Sequence, residues 1–290
     1  MRKVSWLIES FERDNSFEEL SAEVKRQGMD CELISYDPEG NVKGSPDVFP
    51  GNQCVLFQGS IDMAARIQRD KPWIPGSFVT WNNYLCTTYY CKYGKWLFNS
   101  AYMMLPMVEF WRREQGIVEK FNGEFFMRPN GGMKSFTGST WQKLSPNMRR
   151  LIKSDCAPEE LVVIAPVKLI DREWRLICTK DKVLTGSRYK TAGRPDYNAD
   201  VPPEVIAKGQ EILRESRWAP DPIFVMDICS NHSGEYHLLE IGAFSISGLY
   251  KCDMKPIVEV ASQLAWEEYD SYQNQMVELR EANPGFYRSE

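Results

Sequence analysis

Apolar residues in the first hundred positions alternate between short continuous runs and helical spacing. Val4 to Ile8 and Cys31 to Tyr36 read as strands, and Cys54 to Gln58 as a buried one. Between Phe17 and Gln27, the residues Phe17, Leu20 and Val24 recur at helical spacing, and Gly28 stops the helix. Asp37 to Asn41 forms a turn cluster, and a second helix is expected from Ile61 to Arg69 after the break at Gly59. Strand and helix in this rhythm predict a small parallel sheet with helices on its faces. Neither GxGxxG nor GxxxxGK[ST] occurs there, so this α/β domain reads as fold-forming or substrate-contributing, without a nucleotide site of its own.

From Trp73 to Trp111 the chain is dense in rings, Trp81, Tyr84, Tyr89, Tyr90, Tyr93 and Trp96 among them. Base stacking on a single strand would need interleaved cations to track phosphates, and these are sparse, so packing between domains is the expectation. Tyr102 to Glu114 reads as a helix with Met104, Val108 and Trp111 on one face.

Past Gly123 the pattern changes to α+β. Phe125 to Pro129 is a compact strand that runs into the polar, glycine-rich stretch Asn130 to Ser139, and Leu161 to Ile170 is a strongly apolar strand. Trp174 to Cys178 and Val183 to Tyr189 form a hairpin around Lys180-Asp181-Lys182. A proline-bearing loop from Thr191 to Pro203 leads into a helix, Pro203 to Glu215. Phe224 to Ile228 and Tyr236 to Ile241 make a second hairpin, and an amphipathic helix from Pro256 to about Glu278 follows. The chain is therefore divided into residues 1–115 and 116–290.

Composition narrows the classes. With 290 residues, 43% hydrophobic and 26% charged, the chain can bury a core without staples, and its net charge of −5 lacks the field of a protein that grips nucleic acid through phosphates. The eight cysteines are scattered without a CxxC pair, and His232 and His237 are the only histidines, which argues against a thiolate or imidazole metal centre. No apolar run is long enough to span a membrane, so a reduced, cytoplasmic setting is expected, with no membrane and no nucleic acid as partner.

Three features carry chemistry. Arg128 and Lys134 flank Gly131-Gly132, where backbone N–H groups and two cations can meet an anion; an ordinary exposed hairpin loop has the same composition. Glu173 and Arg175 begin one strand and Arg188 ends its partner, so the two arginines converge on one face if the register is simple; a surface ion pair with Glu173 is the alternative. Asp227 and Glu240 each interrupt an apolar strand on either side of a turn, which sets them side by side. Two buried carboxylates repel unless a cation joins them, and hard oxygen ligands favour Mg2+ or Mn2+ completed by nucleotide phosphates. Pairing of each acid with a nearby arginine or lysine is the alternative.

Glycine loop, arginine-bearing hairpin and Asp-hairpin-Glu, in that order from about Phe125 to Leu264, resemble the ATP-grasp superfamily, and Asp227 with Glu240 to Tyr250 looks like its divergent phage and bacterial clade with paired arginines and a lysine. The resemblance implies an ATP-grasp fold with antiparallel sheets following the α/β domain. It implies Arg128 and Lys134 on the nucleotide, the Leu161 to Ile170 strand lining adenine through Val163, Ala165, Pro166 and Val167, Glu173, Arg175 and Arg188 toward the triphosphate and acyl phosphate, and Asp227 and Glu240 on magnesium. Two departures stand out: Arg128 replaces the usual strand lysine, and Gly242 occupies the position where many relatives carry a metal-coordinating Asn, with Ser245 and Ser247 nearby to compensate.

The activity so implied is an ATP-dependent carboxylate–amine ligase, with ATP and Mg2+ (or Mn2+) as cofactors and small-molecule or peptide carboxylates and amines as substrates. Two other readings are a degenerate ATP-binding regulatory module, favoured by Gly242, and a nucleotidyl-transfer enzyme acting on nucleic acid through Lys134.

Overall fold

A computed structural model describes residues 3–11, 15–36, 42–132 and 135–282. The turn expected at Asp37 to Asn41 and the loop lysine Lys134 lie outside the described residues. Contacts group the chain into two compact units, Met1–Val79 with Ala243–Glu290, and Thr80–Gly242. The division at residue 115 follows chain order, whereas these units follow packing.

The first unit begins with β1 (Ser5–Glu9), α1 (Ser16–Arg26), β2 (Asp30–Tyr36), β3 (Val42–Lys43), β4 (Cys54–Gln58), α2 (Ile61–Asp70) and β5 (Ile74–Gly76). Its five-stranded sheet has the order β3-β2-β1-β4-β5 and is parallel except for the short β3. The parallel sheet expected from the βαβ rhythm is thus present. Every residue of β1 and β4 is buried, as strands covered on both faces must be. Helix α2 starts where expected because Ser60 caps it, its hydroxyl accepting from the Met63 N–H at 3.2 Å.

The second unit contains α3 (Cys86–Tyr93), β6 (Met103–Pro106), α4 (Met107–Lys120), β7 (Phe125–Pro129), β8 (Ser139–Thr140), α5 (Pro146–Asp155), β9 (Leu161–Pro166), β10 (Arg172–Thr179), β11 (Val183–Thr191), β12 (Arg194–Asn198), α6 (Pro203–Ser216), β13 (Ile223–Ser230) and β14 (Tyr236–Ala243). A four-stranded antiparallel sheet, β6-β9-β7-β8, and a five-stranded one, β12-β11-β10-β13-β14, are its framework. Helix α7 (Met254–Ala282) belongs to the first unit, where Trp6 Nε1 donates to Ser262 Oγ at 3.0 Å in the interior. No helix among the described residues is long and apolar enough to cross a membrane.

Several elements differ from expectation for local reasons. The helix expected from Tyr102 begins only at Met107: a residue before proline avoids the helical region, so Met103 to Pro106 is a strand and the helix follows it. Val108, which periodicity sets on one face with Met104 and Trp111, is exposed, whereas Met107, Phe110 and Ile117 point inward. The apolar strand from Leu161 stops at Pro166, which has no N–H for a ladder. Within the supposed loop from Thr191, Ala192 and Gly193 take positive φ and reverse the chain, so that Arg194 pairs with Thr191 and opens β12; Pro195 is tolerated because β12 is an edge strand.

From Trp81 onward the aromatic stretch lies in the second unit. Tyr93 lies 6.4 Å from Trp96 and 5.5 Å from Trp218, centroid to centroid, and its hydroxyl donates to the Trp218 carbonyl at 2.8 Å. A separate core of Phe110, Phe125, Met127, Trp141, Val162 and Ile164 fills one face of the four-stranded sheet, under α4 and α5.

Candidate functional site

Strand alternation decides which side chains face away from that core. Phe125, Met127, Val162 and Ile164 point into it, so Phe126, Arg128, Val163 and Ala165 share the opposite face, with Arg128 directly across from Val163 and Phe126 from Ala165. The basic residue and the two apolar residues expected to serve a nucleotide therefore stand on one face of one sheet. Pro166 ends β9 and Val167 lies just beyond it, both half-buried.

Arg128 reaches from this sheet to the other. Its Nη1 is 2.9 Å from Glu240 Oε2 on β14 and 3.5 Å from the Tyr89 hydroxyl on α3. Burial works against the positive charge, but the Glu240 carboxylate beside it favours the charged form, and the guanidinium stays above its ordinary pKa. Burial likewise raises the Tyr89 phenol, which stays protonated.

On the five-stranded sheet, β10 and β13 pair with Arg175 opposite Asp227. Arg175 Nε stands 2.9 Å from Asp227 Oδ1 and Nη2 2.8 Å from Oδ2, a bidentate pair in which the Asp227 side chain is 1% exposed. Glu173, one residue pair along the same face, takes a hydrogen bond from the Tyr189 hydroxyl at 2.7 Å and an ion pair with Lys190 Nζ at 3.2 Å. Tyr189 sits at an irregularity of the ladder, between the Glu173–Lys190 and Trp174–Arg188 register pairs. Its hydroxyl also lies 3.3 Å from Asp227 Oδ2, and its ring carries the Arg175 guanidinium at 5.6 Å and the Lys190 ammonium at 5.5 Å. Burial, then Asp227 and Glu173, push the phenol far above its ordinary pKa, which keeps it a donor.

The register separates the two arginines of the hairpin. Arg175 opposes Ser187 and Arg188 opposes Trp174, so they lie on opposite faces and do not converge. Arg188 instead bonds Asp196 Oδ2 at 2.9 Å and reaches Asp200 Oδ2 at 3.4 Å. The positive cluster of Arg128, Lys134, Arg175 and Arg188 expected from the sequence is thus not a set of free charges: its described arginines are each paired with carboxylates. The alternative in which each acid takes an arginine is the arrangement found for Asp227 and Glu240.

Asp227 and Glu240, on neighbouring strands, offer the hard oxygen donors that suit magnesium. Among the described residues no third His, Cys, Asp or Glu completes a metal-binding group with them. The donor set fits a cation that takes its remaining ligands from phosphate or water. Ser245 and Ser247, considered as substitutes for the Asn replaced by Gly242, are committed elsewhere: Ser245 Oγ accepts from the Phe78 N–H at 2.9 Å and Ser247 Oγ donates to the Ala243 carbonyl at 2.7 Å.

Sequence reasoning missed three contributors, Tyr89, Tyr189 and Lys190. Lys190 stands opposite Glu173 only through the irregular hairpin register, which no single strand encodes. Tyr89 had no signal beyond the ring density of its stretch.

The two antiparallel sheets, with an α/β sheet before them, define the ATP-grasp fold. The D-alanine-D-alanine ligase from Coxiella burnetii superposes with a TM-score of 0.59 at 11% identity, covering 98% of this chain and 99% of that one. D-cycloserine synthetase DcsG gives a TM-score of 0.58 at 13% identity over 90% and 99%. The ATP-grasp ligase PsnB, in complex with a phosphomimetic variant of its minimal precursor, Mg and ADP, gives 0.51 at 13% over 92% and 100%. At these identities the likeness establishes the fold. The family follows from the sequence: residues 109–260, more than half of the chain, match the ATP-grasp domain of R2K clade family 2, and the chain belongs to that family. No curated protein sequence matches it.

Proposed function

We propose that this protein is an ATP-dependent ligase that joins a carboxylate to an amine through an acyl phosphate. The observation that carries the reading is the meeting of Arg128 from one sheet with Glu240 of the other, next to Tyr189, Arg175 and Asp227, on the sheet face that also carries the buried Val163 and Ala165. Val163, Ala165, Pro166 and Val167 would receive the adenine, and Arg128, Arg175 and Lys134 the phosphates. Glu173 orients the Tyr189 hydroxyl and the Lys190 ammonium; Arg188 enters the assignment through the family resemblance alone. Magnesium, held by Asp227 and Glu240, would offset charge on the transferring phosphoryl group. No covalent nucleophile is required of the protein.

Substrate class is supported by the company the fold keeps: solved structures that share it include a D-alanine-D-alanine ligase and a ligase bound to a peptide precursor. Amino acids and peptides bearing free carboxyl and amino groups are the compounds to test first. The test is release of ADP and phosphate from ATP only when a carboxylate and an amine are both present, with the new amide read by mass spectrometry. A second reading, nucleotide binding without turnover, is favoured by the pairing of both candidate metal carboxylates with arginine and by Gly242; it predicts ATP binding with no product across the same panel. A covalent Lys134–AMP adduct would point to nucleotidyl transfer instead.

A further inference from the structure

We infer that Asn130 is a positioning residue: it caps helix α3 from the end of β7, and through that helix it fixes Arg128 and the backbone of Gly131 and Gly132 where a nucleotide's phosphates would be received. This inference rests on the nucleotide-binding reading above and adds to it a residue that works through its neighbours.

Helix α3 starts without a cap from its own sequence. Leu85 stands at the N-cap and has no side-chain acceptor, so the N–H groups of Cys86 and Thr87 must be satisfied from elsewhere. Asn130 satisfies both. Its backbone carbonyl accepts from the Cys86 N–H and its side-chain Oδ1 from the Thr87 N–H, each at 2.9 Å, while Nδ2 faces Thr87 Oγ1 at 3.4 Å. On its other side the Asn130 N–H donates to the Leu161 carbonyl at 2.9 Å, at the start of β9. Backbone donor, backbone acceptor and carboxamide are thus all engaged, and two glycines follow at once.

The cap closes a ring of contacts around Arg128. One turn into α3 the buried Tyr89 sets its hydroxyl 3.5 Å from Arg128 Nη1, so one helix holds both the guanidinium and the end of the strand that carries it. The segment before α3 is anchored just as firmly. In the turn Trp81–Tyr84 and the residue before it, the Tyr84 hydroxyl donates to Asp221 Oδ2 at 2.6 Å, Thr80 Oγ1 to Asp221 Oδ1 at 2.5 Å, and Asn83 Nδ2 to the Pro220 carbonyl at 2.6 Å. Asp221 leads directly into β13, the strand of Asp227. Residues 80–93 therefore tie β13 of the five-stranded sheet to β7 of the four-stranded one, within a single compact unit, and Asn130 is the fastening at the β7 end. Gly132 lies against this tie, since a Cβ placed there would come 3.5 Å from the Tyr84 Cβ. Planar, bidentate contact between guanidinium and phosphate tolerates little misplacement, and glycines have no side chain with which to fix themselves. Loss of the Asn130 carboxamide leaves the Thr87 N–H without its acceptor and loosens the turn on which Tyr89 stands, although nothing that touches the nucleotide has been removed.

Isothermal titration of the full chain with Mg2+ and the β,γ-methylene analogue of ATP reads this without turnover. Asn130→Ala is expected to weaken the analogue about tenfold. Asn130→Asp keeps an oxygen acceptor and puts negative charge at a helix N-terminus, and it should restore most of that affinity. Ser145→Ala is the control, because Ser145 caps α5 by accepting from the Met148 N–H at 3.2 Å: it removes the same kind of cap and should bind the analogue as the parent does. Tyr89→Phe is the second variant, expected to lose affinity as well, and combined with Asn130→Ala to lose no more than the weaker of the two singles, since both act through one helix. Parent affinity in Asn130→Ala, or an equal loss in Ser145→Ala, would overturn the positioning role while leaving the nucleotide site intact. Should Asn130→Ala not fold, parent affinity in Tyr89→Phe would overturn it instead. Failure of the analogue to bind the parent chain would overturn the functional reading itself.

Discussion

Arg175 grips Asp227 by both carboxylate oxygens across the β10–β13 ladder, at 2.9 and 2.8 Å, in the interior of the five-stranded sheet. Such a pair is fully satisfied as it stands, so its two members are tied to each other more tightly than to any single neighbour. Arg175→Met leaves a buried carboxylate without a counter-charge, and we expect a loss of about 3–5 kcal/mol in denaturant unfolding. The double variant Arg175→Met with Asp227→Leu removes both charges and should recover most of that loss while nucleotide–metal binding stays absent. Recovery of binding in the double variant would show that neither residue serves the nucleotide.

Tyr189 joins two acids through one hydroxyl, 2.7 Å from Glu173 and 3.3 Å from Asp227. Tyr189→Phe keeps the ring under Arg175 and removes the donor. Because the acceptor is charged and buried, a loss of about 1.5–3 kcal/mol is expected in a urea titration. A change within experimental error would mean that Lys190 alone satisfies Glu173.

His237 gives the fold a titration near neutrality. Burial, aided by Lys168 and Lys208 and opposed by Glu235, holds its imidazole below the ordinary histidine value. The unfolded chain takes up the proton first, at about pH 6.5, so this contribution is complete above that pH and is lost as pH falls toward the folded-state value. Urea midpoints measured across this range should drop on acidification in the parent and drop less in His237→Gln. A parallel decline in the two would remove His237 from the account of acid sensitivity.

Thiol reactivity should be confined to the surface. Cys91 is exposed, whereas burial pushes Cys54 up to about 12, and burial with Glu160 pushes Cys156 up to about 12. Iodoacetamide at about pH 8 should label Cys91 first and leave Cys54 and Cys156 unmodified in the folded protein, by peptide mass spectrometry. Equal labelling of Cys156 would indicate that its contact with Glu160, at 3.0 Å, is not maintained in solution.

Much of the fold was legible because its signals are local. The runs Cys54 to Gln58 and Phe125 to Pro129 match β4 and β7 as read, and Asp227 and Glu240 do lie on neighbouring strands. Other local signals were present but overlooked: Ser145 caps α5 with Pro146 at its first position, a start signal in plain view, and Pro106 marks the end of β6. What could not be read was register. Whether Arg188 shares a face with Arg175 depends on which residue opposes Trp174, and the irregularity beside Tyr189 depends on packing that no single strand encodes. The partner of Arg128 was similarly hidden, since Tyr89 and Glu240 come from distant parts of the chain.

ADP release from ATP bears most directly on the ligase reading. Incubated with Mg2+ and a panel of amino acids and peptides, the protein should release ADP and phosphate only in mixtures that contain both a carboxylate and an amine, with an amide of matching mass formed in equal amount. Bound ATP with no ADP and no amide across the whole panel would contradict that reading.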